Sequence, residues 1–473
     1  MGRSNASRKS RHPVNPLEFA LKPDDVLSPE EEELFPKLDV QHKFIHLSDK
    51  LHGLRRSATL AINEHSLKLQ SEGKKIYKFG LGQSPFPVPE IVVNALKENA
   101  HQKEYLAVQG LYELREAVVD FAQRTIGLYA SPEQVMIGPG SKELLFLAQL
   151  SFNGDLIIPS PCWVSYIPQA RIIGHKIRLI HTDYEHRYRI TANKLRNLCE
   201  EDRINKYKKP RLLLMNYPGN PDGNSYSQYE LEAIARVARK HNILILSDEI
   251  YGETKYDGNH VSISKYYPKG TIVSGGLSKW CGAGGWRLGT FIFPKELLWL
   301  KDAMCVIASE TYTTVSAPIQ YAAVTAFHGA PSIEHYLENS RLILKYLGLW
   351  CAAKLRRAGV RVHDPVGAFY LFLDFSMFET KFYIKDINTT RELAERLLAD
   401  SGVAILPGSD FARSPDEFTA RLAFVNFDGK RALEALDSTY INRKIDIHFL
   451  KRYCADVVDG IKAMVKWLEE IGR

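Results

Sequence analysis

Short, unbroken apolar runs alternate with amphipathic stretches through the middle of the chain. Leu156-Ile-Ile158, Leu212-Leu-Leu-Met215, Ile243-Leu-Ile-Leu246 and the pair Ile272-Val273 are too short for helices and too continuous for strands with one wet face. Strands of this kind are buried on both sides, the mark of a mostly parallel sheet covered by helices. Residues 135–138 and 176–180 read as further strands. Between them, 91–99, 113–124 and 142–152 carry helical period, and Ser141 begins the last of these. Ser227-x-x-Glu230 is a capping box, so a helix should run from it to His241. The pattern predicts an α/β fold with a large domain over 93–330.

Outside this region the pattern changes. A helical period spans 47–69, followed by a short strand at 76–81 and the turn Gly82-Gln-Ser-Pro-Phe-Pro-Val-Pro89. After about residue 330 a long helix, 332–357, leads to strands at 368–373, 403–406 and 422–424 and to a closing helix from about 450. Segments 43–92 and 331–473 together are expected to form a smaller α+β domain. Residues 1–42, basic at Arg3, Arg8, Lys9 and Arg11 and acidic at Glu30 to Glu33, read as a flexible extension.

With 473 residues the chain exceeds one typical core and should hold roughly two domains. Its 45% apolar and 25% charged content is ordinary for a globular protein. The net charge of +7 is not gathered into a basic stripe with interleaved aromatics, which argues against nucleic acid as a partner. No apolar run reaches the length of a membrane span and no signal peptide follows the basic head, so a membrane partner is not expected. Six cysteines without metal-ligand spacing fit reduced thiols in a cytoplasmic enzyme, and no metal site is expected.

Candidate chemistry falls where ligands bind open sheets, beyond the carboxyl ends of the strands. Asn216 and Asn220 follow the 212–215 run, and Asp248 and Tyr251 follow 243–246. Behind Ile272-Val273 comes Ser274-Gly-Gly-Leu-Ser-Lys-Trp-Cys-Gly-Ala-Gly-Gly-Trp-Arg-Leu-Gly289, in which six of sixteen residues are glycine. Glycine density lets backbone approach a ligand closely, and Lys279 and Arg287 in that run suit an anionic or carbonyl-bearing group. Gly138-Pro-Gly-Ser-Lys142 opens a helix after a strand, so its free N–H groups form an anion site.

In order along the chain these residues resemble the fold-type I pyridoxal-phosphate enzymes, specifically the class I/II aminotransferases. The likeness covers about residues 46–430, and the pattern is nearest to the aspartate/prephenate-type branch. It implies a homodimeric enzyme with active sites at the subunit interface, bound pyridoxal 5'-phosphate, and a ping-pong transfer from an amino acid to a 2-oxo acid such as 2-oxoglutarate. Lys279 matches the Schiff-base lysine, and Asp248, in Ser247-Asp-Glu-Ile-Tyr251, matches the carboxylate that pairs with the pyridine nitrogen. Tyr251 and Asn220 match the pair that hydrogen-bonds the phenolate oxygen.

Gly140, Ser141 and Lys142 match the phosphate loop, chiefly through their amides. Arg287 matches the phosphate arginine, and Ser278 would donate a hydroxyl. Trp163 matches the aromatic that stacks on the ring, Arg421 the clamp for the substrate α-carboxylate, and Gly82 the glycine near that carboxylate. Tyr105 resembles the tyrosine that reaches the phosphate of the neighbouring subunit. Two departures stand out: Asp222 replaces the usual Thr or Ser, and Gly276 replaces a frequent serine.

Specificity is less defined. In Leu54-Arg-Arg-Ser-Ala-Thr59 the serine and Thr59 match residues near the substrate's distal group, which favours an aspartate-type donor. The stretch 308–318 lacks the arginine that other aspartate aminotransferases use for the distal carboxylate. Aromatic, alanine or kynurenine-type donors therefore stay open. So do a carbon–sulfur lyase or decarboxylase and a non-catalytic regulator that binds the same cofactor.

Overall fold

The computed structural model describes residues 58–439 and 445–471. All of them lie in one unit spanning Arg56–Arg473. The expected 1–42 extension, the start of the 47–69 helix and Leu54 to Ser57 lie outside the described residues.

Twelve strands are described, numbered here in chain order. They are β1 (Tyr77–Lys78), β2 (Val135–Gly138), β3 (Asp155–Ser160), β4 (Ile177–His181), β5 (Arg211–Asn216), β6 (Ile243–Asp248), β7 (Thr271–Gly276), β8 (Gly289–Ile292), β9 (Tyr370–Asp374), β10 (Val403–Ala404), β11 (Leu406–Pro407) and β12 (Thr419–Ala423). Seven form one sheet in the order β2-β8-β7-β6-β5-β3-β4. Within it β4, β3, β5, β6 and β7 run parallel, and β8 is antiparallel to both its neighbours.

The unbroken apolar runs have their cause in the packing. Along β5, Leu212 and Leu214 pack on one face with Leu144, Tyr166 and Phe291, while Leu213 and Met215 pack on the other with Ile234 and Leu231. Alternation sends successive side chains to opposite faces, and both faces are dry, so every position must be apolar. The helix Gln228–Lys240 that covers one face begins with the expected capping box.

Four differences from the pattern reading are found. The strand expected at 76–81 shortens to β1, because the chain beyond Lys78 turns into the site: a Cβ on Gly82 would collide with the Tyr370 hydroxyl. The run 403–406 divides. β10 pairs with β1, β11 pairs with β12, and the buried Ile405 lies between them. β8 closes the glycine-rich excursion as a strand, since Gly289 lies against the backbone of Gly140 and Ser141 too closely for any side chain. The closing helix is two, Ile447–Tyr453 and Ala455–Ile471. β1 with β10, and β11-β12-β9, form separate small sheets drawn from both ends of the described chain.

Candidate active site

The carboxyl ends of β5, β6 and β7 bring the chosen residues together. Asp248, the last residue of β6, is buried and lies in register with Asn216 on one side and Ser274 on the other. The Tyr166 hydroxyl donates to Asp248 Oδ2 at 2.8 Å, and Ser274 Oγ lies 3.4 Å from Oδ1. Asn216 Nδ2 donates to the Asp248 carbonyl at 2.8 Å. Burial raises the Asp248 carboxyl to about 6, with the Tyr166 and Ser274 hydrogen bonds opposing it. The group is thus an anion near neutrality that is held by donors and wants a cation.

Lys279 follows β7 by three residues. Its Nζ donates to the Gly82 carbonyl at 2.8 Å and lies 5.4 Å from the centre of the Tyr251 ring. Burial first, then the charge of Arg421, lowers its pKa to about 8. A usable fraction of the amine is therefore neutral and nucleophilic near pH 7.

Arg421 lies in the middle of β12 and is 1% exposed. Its Nη1 donates to Asn220 Oδ1 at 3.1 Å, and Nη2 donates to the Gly80 carbonyl. The guanidinium is sandwiched between the Tyr370 and Phe411 rings, each 4.9 Å from its central carbon. Nε is buried without a partner. No carboxylate makes a salt bridge with Arg421 among the described residues, only the more distant charge of Asp410 acts on it, and burial lowers its pKa. A buried, unpaired guanidinium with an idle donor is an arrangement made for an incoming anion. Tyr251 is also buried, its hydroxyl 2.7 Å from that of Tyr370.

A second candidate anion site lies at the start of the helix Ser141–Ser151. Gly140 caps it at φ +89, a conformation that favours glycine, and a Cβ there would collide with the Arg287 guanidinium. Arg287 bonds the carbonyls of Gly284 (2.8 Å) and Pro139 (3.3 Å). The first helical amides therefore face a cation across a gap that only glycine leaves open. Gly276 has φ +146 and approaches the Leu288 carbonyl, which explains the departure from serine. Lys142 is exposed, with its ammonium 5.1 Å from the centre of the half-buried Trp163 ring. Although the residue as a whole is exposed, partial desolvation of its ammonium against the protein, then the charge of Arg287, lowers its pKa.

Other candidates stand apart. Tyr105 is 87% exposed, on a loop. Ser278 is half-buried beside Gly284. Of Thr59 only its place in the helix Ala58–Ser71 is described. Asp222 serves the local turn, its Oδ1 accepting from the Asn224 amide at 2.7 Å, so a carboxylate fills the place of the usual hydroxyl. Among the described residues no cluster of His, Cys, Asp and Glu is placed to hold a metal, and no helix is long and apolar enough to cross a membrane.

Residues 74–428 match the family described as aminotransferase class I and II. The chain belongs to this family. It is 33% identical over 377 residues to an aspartate aminotransferase of Bacillus sp. (strain YM-2), covering 77% of this chain and 92% of that protein. It is 31% identical over 373 residues to the aspartate/prephenate aminotransferase of Thermus thermophilus, covering 77% and 91%. A solved Thermus thermophilus aspartate aminotransferase, crystallised with maleate, superposes with a TM-score of 0.74 at 27% identity, covering 89% of this chain and 99% of that one. The expected α/β fold and the aspartate/prephenate-type kinship are borne out, and the protein is an aminotransferase.

Sequence reading of this aminotransferase missed Tyr166, Tyr370 and Phe411. Tyr166 opens a helix three residues after Trp163, whose carbonyl accepts from the Tyr166 amide at 3.1 Å, and that closeness in sequence was its only local signal. Tyr370 and Phe411 reach Arg421 through sheet pairing and the 3₁₀ turn Gly408–Phe411, which no local pattern specifies.

Proposed function

We propose that the protein transfers the amino group of an aspartate-type L-amino acid to a 2-oxo acid, 2-oxoglutarate by preference, using pyridoxal 5'-phosphate in ping-pong order. The observation that carries this reading is the lysine of lowered pKa between a buried carboxylate and a buried, unpaired arginine. The residues present fit the cofactor. Gly140, Ser141, Lys142 and Arg287 would hold its phosphate, with Ser278 adding a hydroxyl; Asp248 would hold its ring nitrogen, Trp163 its face, and Tyr251 and Asn220 its ring oxygen. When bound, the cofactor supplies a carbonyl for amino exchange and a conjugated ring that accepts electrons from the substrate Cα–H bond.

The chain's own residues do the rest. Arg421 takes the α-carboxylate in a fork and, with the Gly82 backbone, fixes which bond on Cα faces Lys279. Lys279 Nζ, relieved of part of its basicity by burial, takes the Cα proton and returns it elsewhere. Asp248 stays ionised and holds positive charge opposite it, while Tyr166 and Ser274 keep its carboxylate oriented. The Lys142 ammonium, with no carboxylate paired to it among the described residues, supplies a cation for a distal carboxylate where 308–318 has no arginine. Support for a dicarboxylate comes from the Thermus relative crystallised with maleate. A Streptococcus mutans relative, 32% identical, is an asparagine–oxo-acid transaminase, which keeps the amide as a second reading.

We further read the protein as a cytoplasmic homodimer, with 43–92 and 331–473 as the small domain and 93–330 as the large one. Tyr105, with Trp299 and Val306 exposed on the helix Leu298–Ser309, supports a face toward a second copy.

The test is a spectral titration of the cofactor-loaded protein with a panel of amino acids, each with and without 2-oxoglutarate. Aspartate should convert the visible band and 2-oxoglutarate should restore it. Lys142→Gln should weaken aspartate by about tenfold and leave alanine unchanged, the loss of one charged hydrogen bond. Asparagine outperforming aspartate would favour the second reading. A keto acid released without an acceptor would point to a lyase, and a band that no amino acid moves would sink the enzymatic reading.

A further inference from the structure

Tyr370 stands where the carboxylate side and the lysine side of the site meet. It begins β9, is 1% exposed, and its hydroxyl lies 2.7 Å from the Tyr251 hydroxyl. The Arg421 guanidinium stacks on its ring, and its oxygen is so close to Gly82 that no Cβ fits there. Gly82 in turn accepts from Lys279. One phenol therefore touches three of the groups that the proposed function uses, and nothing so far gives it a task.

The direction of the Tyr251–Tyr370 hydrogen bond follows from how many protons the two hydroxyls have to give. Each phenol carries a single proton, their oxygens lie 2.7 Å apart, and the reading above gives the Tyr251 proton to the cofactor's ring oxygen. Across that contact Tyr251 can then only accept, so Tyr370 donates. The Tyr251 proton is then free to point elsewhere, and donating to one partner strengthens what the acceptor can give to the next.

We propose that Tyr370 is a positioning residue: its hydroxyl donates to Tyr251 and so commits the Tyr251 proton to the cofactor's ring oxygen, while its ring holds Arg421 flat for the substrate carboxylate. The inference rests on the cofactor reading above. The charged groups acting on Lys279 are Arg421 from β12, Asp248 from β6, Arg287 from the glycine-rich run and Lys142 from the phosphate helix. None of them is altered by removing one hydroxyl.

The test is Tyr370→Phe, which keeps the ring and its stacking on Arg421. The readout is the pH midpoint of the visible absorbance of the loaded protein. A proton donated to the ring oxygen stabilises that oxygen as an anion, so weaker donation raises the midpoint, by about half a pH unit or more. kcat should fall by about fivefold with the amino-acid KM within about twofold, since Arg421 remains. Tyr251→Phe should move the midpoint at least as far, and adding Tyr370→Phe to it should move it no further. An unmoved midpoint in Tyr370→Phe, or an additive shift in the double variant, overturns the inference. So does a wild-type midpoint in Tyr251→Phe, even where Tyr370→Phe fails to fold. A wild-type protein that takes up pyridoxal phosphate without any visible band would instead sink the cofactor reading itself.

Discussion

Asp248 and Glu249 are consecutive carboxylates, both buried, at the end of the same strand, and they serve opposite faces of the sheet. Asp248 faces Tyr166, Ser274 and the charge of Lys279. Glu249 faces the reverse side with Ser247, two residues earlier, as strand alternation requires. There its Oε1 accepts from Ser247 (2.7 Å), Ser262 (2.7 Å) and Tyr217 (3.2 Å), and its Oε2 lies 2.8 Å from His260 Nε2. One face keeps its charge open to a ligand, while on the other Ser247, Ser262, Tyr217 and His260 hold both carboxylate oxygens within the fold. Function is located where satisfaction is incomplete, and stability where it is complete.

The contrast can be broken by substitution. Arg421→Ala, on the open face, should raise the amino-acid KM and lower kcat/KM by about 2–4 kcal/mol equivalent. An unchanged kcat/KM would make that arginine structural.

Asp248→Asn should lower kcat by about 10²-fold, since an amide cannot hold the positive charge opposite it. In the cofactor-free protein the same change should raise Tm at pH 7.5. The sign follows from burial: the folded carboxyl titrates near 6 against 3.8 unfolded, so folding binds protons between those values. Its stabilising contribution is complete below about 4 and is lost as pH rises through 6. At pH 7.5 Asn removes the cost of a buried anion, and at pH 4 it should gain nothing. A variant equally stabilised at both pH values would contradict the assigned cause.

Glu249→Gln should do the reverse: about 2 kcal/mol of stability lost by denaturant titration, with kcat within about threefold. If Glu249→Gln abolished turnover while unfolding normally, the division between the two faces would be wrong.

How much of this could be read without coordinates follows the same line. The parallel sheet was legible because dry faces force continuous apolar runs, and the helix starting after Ser227 was legible because its capping box is local. Asp248, Lys279 and Arg287 were legible as short motifs at strand ends. What stayed hidden depends on separation: Tyr166 meets Asp248 across 82 residues, Tyr370 meets Tyr251 across 119, and Arg421 reaches the Gly80 carbonyl across 341. Such meetings are set by tertiary packing, which a local pattern does not encode. The same applies to Lys142, which read as a source of backbone amides while its ammonium lies over Trp163. β8 escaped notice because its first residue, Gly289, needed for close approach to the backbone of Gly140 and Ser141, read as the end of a turn.

The central claim is that Lys279, and no other lysine, carries the amine that this aminotransferase uses. Hydride reduction of the protein loaded with pyridoxal phosphate, followed by peptide mass spectrometry, tests it directly. The account predicts a single reduced cofactor adduct on Lys279, with Lys279→Ala losing both the adduct and at least about 10⁴-fold in turnover. An adduct on Lys142 or elsewhere, or full turnover in Lys279→Ala, would contradict it.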